Sequence, residues 1–426
     1  MTYRKFKAQK IFDGYRFLET HVLVTDENGV IIDLLTAADA GNDVESFNGI
    51  LSPGLINCHC HLELSHMKGL IPQGTGLVDF VFRVVTERHF SEEEILDAIA
   101  KAEDEMLSNG IVCIGDICNN DLTIKQKQKQ RLNYYNFIEA SGWLPSLANT
   151  RFERAKKIYE EFVASCMTSD IRHARSDIRN SIVPHAPYSV SSELWKEIQP
   201  YFQNKVVSIH NQETAFEDEF FMEGTGDFQR MYQLMKIDNS HHQPTKRSSL
   251  QSYFDKLKGA ANIILVHNSF TKQEDIDYVN GDSSVARQTL SQKRIKAGSS
   301  SVNSRIRNPK SEIRNQESQT FFCLCPNANR YIENAVPPVE LFRENRCNII
   351  LGTDSLASNQ KLDIMDEIST IRKNFPSVSL EELLQWATLN GARALQMEEQ
   401  LGSFEKGKKP GIVLIDEQKF SAKRII

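Results

Sequence analysis

The chain has 426 residues, of which 40 % are hydrophobic and 25 % charged, so a packed, water-soluble globule with room for one large domain and a smaller companion is expected. A net charge of −6, from 50 Lys and Arg against 56 Asp and Glu, argues against nucleic acid as a main partner. No run of about 18 apolar residues occurs, which excludes a membrane-spanning helix.

The first residues, MTYRKFKAQKIFDGYRF, are basic but lack the apolar stretch of a signal peptide. Eight cysteines without the spacing of a small disulfide scaffold read as reduced thiols, and a cytoplasmic protein is expected. Residues 1–52 hold short β-like pieces, such as HVLVTDENGVIIDLL with ENG as its turn. From there on, apolar runs of strand length recur: GLINCHCHL (54–62), GIVCIGDIC (110–118), LNYYNFIEA (132–140), NSIVPHAPY (180–188), KVVSIHNQE (205–213), NIILVHNSF (262–270), TFFCLCPNA (320–328) and NIILGTDSL (348–356). They are nearly continuous rather than alternating, as parallel strands buried on both faces require.

Helical patterns separate them. Ser91-x-x-Glu94 opens one that closes at Gly110, and Ser379-x-x-Glu382 opens SLEELLQWATLNGARAL. Residues 281–320 break the pattern, being rich in Ser, Arg, Asn and Gln, with eight Lys and Arg against three Asp and Glu. A solvated, disordered insertion is the expectation there, with a polyanion-binding tail as the rival. The stretches 168–180 and 238–252 share this polar character. The closing GKKPGIVLIDEQKF reads as β structure again. The predicted fold is therefore α/β: a (β/α)₈ TIM-type barrel over 53–401, beside a small β-sandwich domain built from 1–52 and 402–426. A doubly wound sheet is the competing architecture.

The chemistry sits at the strand ends. His59 and His61 are two apart in a strand, so both imidazoles face one side with Cα atoms about 6.5–7 Å apart, suited to one metal ion. His210 ends VVSIH, His267 ends IILVH and Asp354 follows IILGT. Any one of these is more often a hydrogen-bonded core residue. Five from four strands, at the barrel end where active sites lie, form a nitrogen and oxygen set for Zn²⁺, with Fe²⁺ or Mn²⁺ as alternatives. Glu213, three residues after His210, is placed to shuttle protons, and also to favour a helix N-terminus. His185 either orients substrate or anchors its loop. No lysine lies in the fourth run to bridge two metals, so one divalent ion is expected. Cys58 with Cys60, and Cys323 with Cys325, also share strand faces, but short apolar strands commonly bury cysteine.

These pieces resemble the amidohydrolase superfamily. PGLINCHCHLELS is similar to its first-strand signature, and HAPYSVS, HNQET, VHNS, CPNANRYIENAVPPVELF and LGTDSLASNQKLDIMDEI follow in the superfamily's order. Gly402 to Asp416 resembles its return to the small β domain. Within it, HAPYSVS, H-x-x-E-T and GTD-x-x-A-S-N are similar to the branch deaminating adenosine-like compounds. That branch includes S-adenosylhomocysteine/methylthioadenosine and aminodeoxyfutalosine deaminases, with chlorohydrolases and guanine-type deaminases nearby. ELSHMKG leans towards the aminodeoxyfutalosine type.

The resemblance implies an aminohydrolase acting on a small heterocyclic substrate. It makes His59, His61, His210 and Asp354 the metal ligands, and Glu213 the general acid/base. His267 then orients the attacking hydroxide, Asp354 takes a proton from the water, and His185 contacts substrate. Glu63, His66, Arg151 and Arg154 are further candidates for substrate contact, the arginines for a carboxylate. A chlorohydrolase or cyclic-amide hydrolase using the same site is the alternative function, and a non-catalytic barrel relative a third. A homodimer is compatible with this architecture, although no stripe of sequence marks an interface.

Overall fold

The computed structural model describes residues 3–167, 179–281 and 318–426. Most of the insertion expected at 281–320 lies outside the described residues, as does most of the polar stretch 168–180.

Each of the eight apolar runs contributes one strand: Leu55–Cys60, Ile111–Cys118, Asn133–Ala140, Asn180–Pro184, Val206–Asn211, Asn262–His267, Gln319–Leu324 and Asn348–Leu351. The first four pair in parallel as one sheet and the last four as another, each in chain order. Two seams join these arcs into a (β/α)₈ barrel. At one, the His210 N–H donates to the His185 carbonyl at 3.0 Å. At the other, Cys60 bridges Asp354 in parallel register, and the Thr353 and Asp354 N–H groups both donate to the His59 carbonyl at 3.0 Å. The second seam depends on Gly352. A Cβ there would stand 2.8 Å from the His59 Cβ and 2.9 Å from the Cys323 Sγ, so a larger residue would hold the eighth strand away from the first.

Burial on both faces explains the unbroken apolar runs. Every residue of Ile111–Cys118 and of Val206–Asn211 is buried. Each large aliphatic or aromatic side chain so placed contributes about 1.5–3 kcal/mol over its exposed state. The outer helices start as their sequences indicate. Ser91 caps Glu92–Ser108 through a reciprocal box with Glu94, and Gly110 turns the chain into the second strand at φ 82°. At Ser379 only half of that device forms. The Ser379 hydroxyl accepts from the Glu382 N–H at 3.1 Å, but the Glu382 carboxylate turns outward to the Arg343 guanidinium at 2.9 and 3.0 Å.

The two ends of the chain share a β-sandwich. One sheet runs Ile31–Thr36, His21–Asp26, Tyr3–Lys7, Glu45–Ser46. The ENG turn joins its first two strands, with Gly29 at φ 81°. The other sheet places Ile412–Asp416 antiparallel to Ile50–Pro53, and carries Lys10–Phe12, Phe17–Leu18 and Ser421–Arg424. Phe6, Leu23, Leu51 and Ile412 pack between them. Because Ile50–Pro53 leads directly into the first barrel strand, this sandwich ties both termini to the side of the barrel. No helix among the described residues is long and apolar enough to cross a membrane.

Candidate active site

Both seams of the barrel end at the same place. His59, His210, His267 and Asp354 each offer one ligand atom within 4.8 Å of the others, and all four residues are buried. His61 joins them, its Nε2 lying 3.3 Å from Asp354 Oδ1 and 3.3 Å from His210 Nε2. The structure thus brings together all five strand-end residues read from the sequence. The tightest four include His267, which the resemblance had set outside the ligand set.

The ring nitrogens are arranged for metal binding. His210 Nδ1 lies 2.7 Å from the His185 carbonyl, and His267 Nδ1 lies 2.7 Å from Asn329 Oδ1. An Nδ1–H donated to either oxygen leaves the Nε2 lone pair directed into the cluster. Neither ring nitrogen of His59 has a hydrogen-bond partner, although both are buried. Leaving such groups unpaired is costly unless another ligand completes them. Burial lowers the pKa of each of these imidazoles, that of His61 to about 4, which keeps them neutral and able to ligate. Asp354 goes the other way. Burial alone would raise its pKa, but the imidazoles of His59, at 3.5 Å from Oδ1, and of His61 and His267 favour its ionised form and hold it well below the ordinary carboxylate range. Its Oδ2 accepts from the Ser358 hydroxyl at 2.5 Å, leaving Oδ1 facing the histidines. Together these donors fit one divalent cation.

His267 and Asp354 take left-handed backbone conformations, at φ 73° and 58°, as does Gln212 at 44°. Non-glycine residues hold such angles at a cost of about 1–2 kcal/mol, and their clustering here is a feature of functional sites.

Glu213 stands beside this group, with Oε1 3.6 Å from His267 Nε2. Burial, reinforced by the charges of Asp354 and Glu333, raises its pKa well above the ordinary value. A carboxyl whose hold on a proton is strengthened, beside one whose hold is weakened, is an arrangement for passing protons.

Above the cluster lies a cavity of about 670 Å³, within the range of roughly 300–1,000 Å³ common for small-ligand sites. His61, His185, His210, Glu213, His267 and Asp354 line its floor. Helix Leu77–Glu87 gives it an apolar wall through Phe80, Val81 and Val84, to which Trp143 and Tyr232 add aromatic surface. His185 is held by Ser189 Oγ at 2.8 Å from Nδ1. Glu63 and Arg151 both line the cavity, as does Arg154. His66 does not. Its Nε2 lies 3.1 Å from the Arg88 carbonyl and its ring packs on Phe90, so it anchors its own loop. Both C-x-C pairs are buried in the barrel core, and among the described residues no group able to share an ion includes a cysteine.

Asn119, Glu139 and Trp143 are among the lining residues that escaped the sequence reading. Asn119 donates its N–H to Glu63 at 3.0 Å and its side-chain amide to Glu139 at 2.9 Å, bridging the two acids across the second strand end. Burial raises Glu63 to about 7 and Glu139 to about 8. Glu139 is the lone acid in LNYYNFIEA and sits at the end of that run, which was the available signal. Trp143 carried none.

Comparison with known proteins agrees with this geometry. Residues 50–425 match the Amidohydrolase family. The chain is 24 % identical, over 89 % of its length and 82 % of the relative's, to an adenosine deaminase of Helicobacter pylori. It is also 24 % identical to a 5-methylthioadenosine/S-adenosylhomocysteine deaminase of Saccharophagus degradans, covering 94 % and 79 % of the two chains. Among solved structures, Helicobacter pylori aminofutalosine deaminase in complex with methylthio-coformycin is similar with a TM-score of 0.75 and 21 % identity, over 99 % of this chain and 100 % of that one.

Proposed function

The chain belongs to the amidohydrolase family, and from that premise we propose that it is a metal-dependent aminohydrolase that deaminates an adenosine-like nucleoside. The observation that carries this reading is the meeting of the His59, His61, His210 and His267 imidazoles with the Asp354 carboxylate and the Glu213 carboxyl at the base of one cavity. The relatives named adenosine, methylthioadenosine and aminofutalosine deaminases support the substrate class.

In this reading His59, His61, His210 and Asp354 hold one divalent ion, most simply Zn²⁺ given its imidazole-rich donors. When bound, such an ion supplies Lewis acidity that activates water at neutral pH. Asp354, ionised at its Oδ1, accepts a proton from the attacking water. His267 faces both the cluster and Glu213, and orients that water. Glu213 gives its proton to a ring nitrogen, which makes the neighbouring amine-bearing carbon electrophilic. After attack, Asp354 passes the water's proton to the amine, which leaves as ammonia, and Glu213 takes the hydroxyl proton of the adduct as the carbonyl forms, so both carboxyls return to their starting states. His185, Glu63 and Arg151 contact the substrate along the cavity. Free, buried thiols such as Cys58 and Cys323 suit a reducing cytoplasm.

The deciding experiment measures ammonia release by metal-analysed protein. The panel is adenosine, 5'-deoxyadenosine, methylthioadenosine, aminodeoxyfutalosine, guanine, cytosine and a chlorinated triazine. Release from one nucleoside type, with about one metal per chain, is the expected result. Chloride release from the triazine with no ammonia from any nucleoside would overturn the deaminase in favour of a chlorohydrolase.

A further inference from the structure

Glu213 has no tether of its own. Among the described residues its carboxylate accepts no hydrogen bond, and His267 Nε2 at 3.6 Å is its ion-pair neighbour. A side chain free at its tip is aimed by the backbone beneath it. That backbone is a tight turn after the fifth strand, in which Gln212 holds a left-handed φ of 44°.

We propose that Glu217 is the positioning residue for Glu213, clamping this turn from the inside. The inference rests on the acid/base role given to Glu213 above. Glu217 lies in the first turn of helix Phe216–Glu223 and is fully buried. Its Oε1 accepts from the Gln212 N–H at 3.0 Å and the Ser249 hydroxyl at 2.6 Å. Its Oε2 accepts from the Glu213 N–H at 3.4 Å. One carboxylate therefore engages two successive backbone amides, and the second belongs to the residue it positions. These bonds point back from the helix towards the strand end, so they fix the turn rather than only favouring the helix dipole.

The rest of the turn is held with equal care. The Gln212 amide donates to Asp218 Oδ1 at 3.1 Å and Asp275 Oδ2 at 2.8 Å, and its oxygen accepts from the Thr271 hydroxyl at 2.7 Å. Asp218 in turn accepts from the Ser249 N–H at 2.9 Å and from Lys272 at 2.9 Å. Of the residues joined in this buried polar lattice, Glu213 is the one that lines the cavity. Burial pushes the Glu217 carboxyl up to about 8, against the pull of its Ser249 and Gln212 bonds.

Glu217→Gln tests the idea. The amide oxygen would keep the Gln212 and Ser249 donors, and the NH₂ would oppose the Glu213 N–H. We expect kcat to fall about 10- to 100-fold, as small misplacements of catalytic groups do, with KM and bound metal unchanged. In Glu213→Gln/Glu217→Gln the second change should add nothing to the first, because Glu217 acts through Glu213. Wild-type kcat in E217Q, or a double variant slowed by the product of the two single effects, would overturn the proposal. If E217Q does not fold, E217D, which withdraws the carboxylate by one methylene, should show an intermediate kcat at unchanged KM, and wild-type kcat there overturns it equally. An active E213Q would sink the acid/base reading and this inference together. An inactive E213Q beside a normal E217Q would sink this one alone.

Discussion

The floor and the rim of the cavity are built on different principles. The floor consists of strand ends, locked by two seams of backbone hydrogen bonds and buried throughout: His59 is fully buried and Asp354 only 5 % exposed. The rim consists of helix faces and loops, and keeps large apolar side chains in water. Val85 is 45 % exposed and Leu234 40 %, and both line the cavity. A floor with this rigidity can hold reacting groups in fixed geometry, which is what proton transfer and metal binding require. An apolar, partly hydrated rim selects what lies beyond the reacting ring, because it gains affinity only when a ligand covers it. On the proposed function, reaction type then lies with the floor and substrate identity with the rim.

Variants can break that division. The largest effect is expected from His59→Ala. Removing the deepest imidazole should abolish bound metal and turnover together, and the protein should melt at a lower temperature because it loses the stabilisation of a bound ion. Metal analysis with a thermal melt checks this, and an unchanged metal content would remove His59 from the ligand set. Glu213→Gln comes next. It should leave metal content and melting temperature intact while lowering kcat about 10²- to 10⁴-fold. Turnover within a few-fold of wild type would end its acid/base role. If instead either floor variant changed only the choice among nucleosides, the division between floor and rim would itself be wrong.

The floor was legible in the sequence for a physical reason. Strands buried on both faces admit few polar residues, so a histidine or aspartate closing an apolar run stands out, and all five such residues converge. The runs overshoot the strands at their ends. NSIVPHAPY leaves the ladder at Pro184 and NIILGTDSL at Leu351, and the residues beyond carry His185 and Asp354. Glu139 and Asn119 follow the same logic but lack the chemical conspicuousness of histidine. The rim was not legible, because its members are scattered. Phe80, Trp143 and Tyr232 come from three separate segments, and each looks on its own like an ordinary helix or loop position, whereas Arg151 and Arg154 stood out only as arginines suited to a carboxylate. Glu217 was hidden in a different way: an acid in the first turn of a helix is so common that only its hydrogen bonds, directed backwards, reveal its task.

The smallest effect is the one that sharpens the comparison most. Arg151 projects from the first turns of helix Ala148–Met167, and its Cγ lies where a Cβ on Gly142 would stand, 2.6 Å away, so glycine at 142 lets the arginine approach the cavity wall. Neither Arg151 nor Arg154 forms an ion pair among the described residues, so among these residues both cations at the rim lack a partner. A substrate bearing an anionic group far from its reacting ring would supply one. Because Arg151 is exposed, solvent screens the contact, and a loss near the low end for charge-assisted bonds, about 1.4 kcal/mol or tenfold in KM, is expected for Arg151→Ala with such a substrate. Adenosine itself, which has no anion to place there, should show no change, and kcat should hold for both. Steady-state kinetics on a matched pair of nucleosides, one with and one without a terminal carboxylate, decides it. A tenfold KM increase confined to the acid assigns anion selection to the rim, whereas equal changes for both would make Arg151 a packing residue and leave substrate choice to the apolar wall.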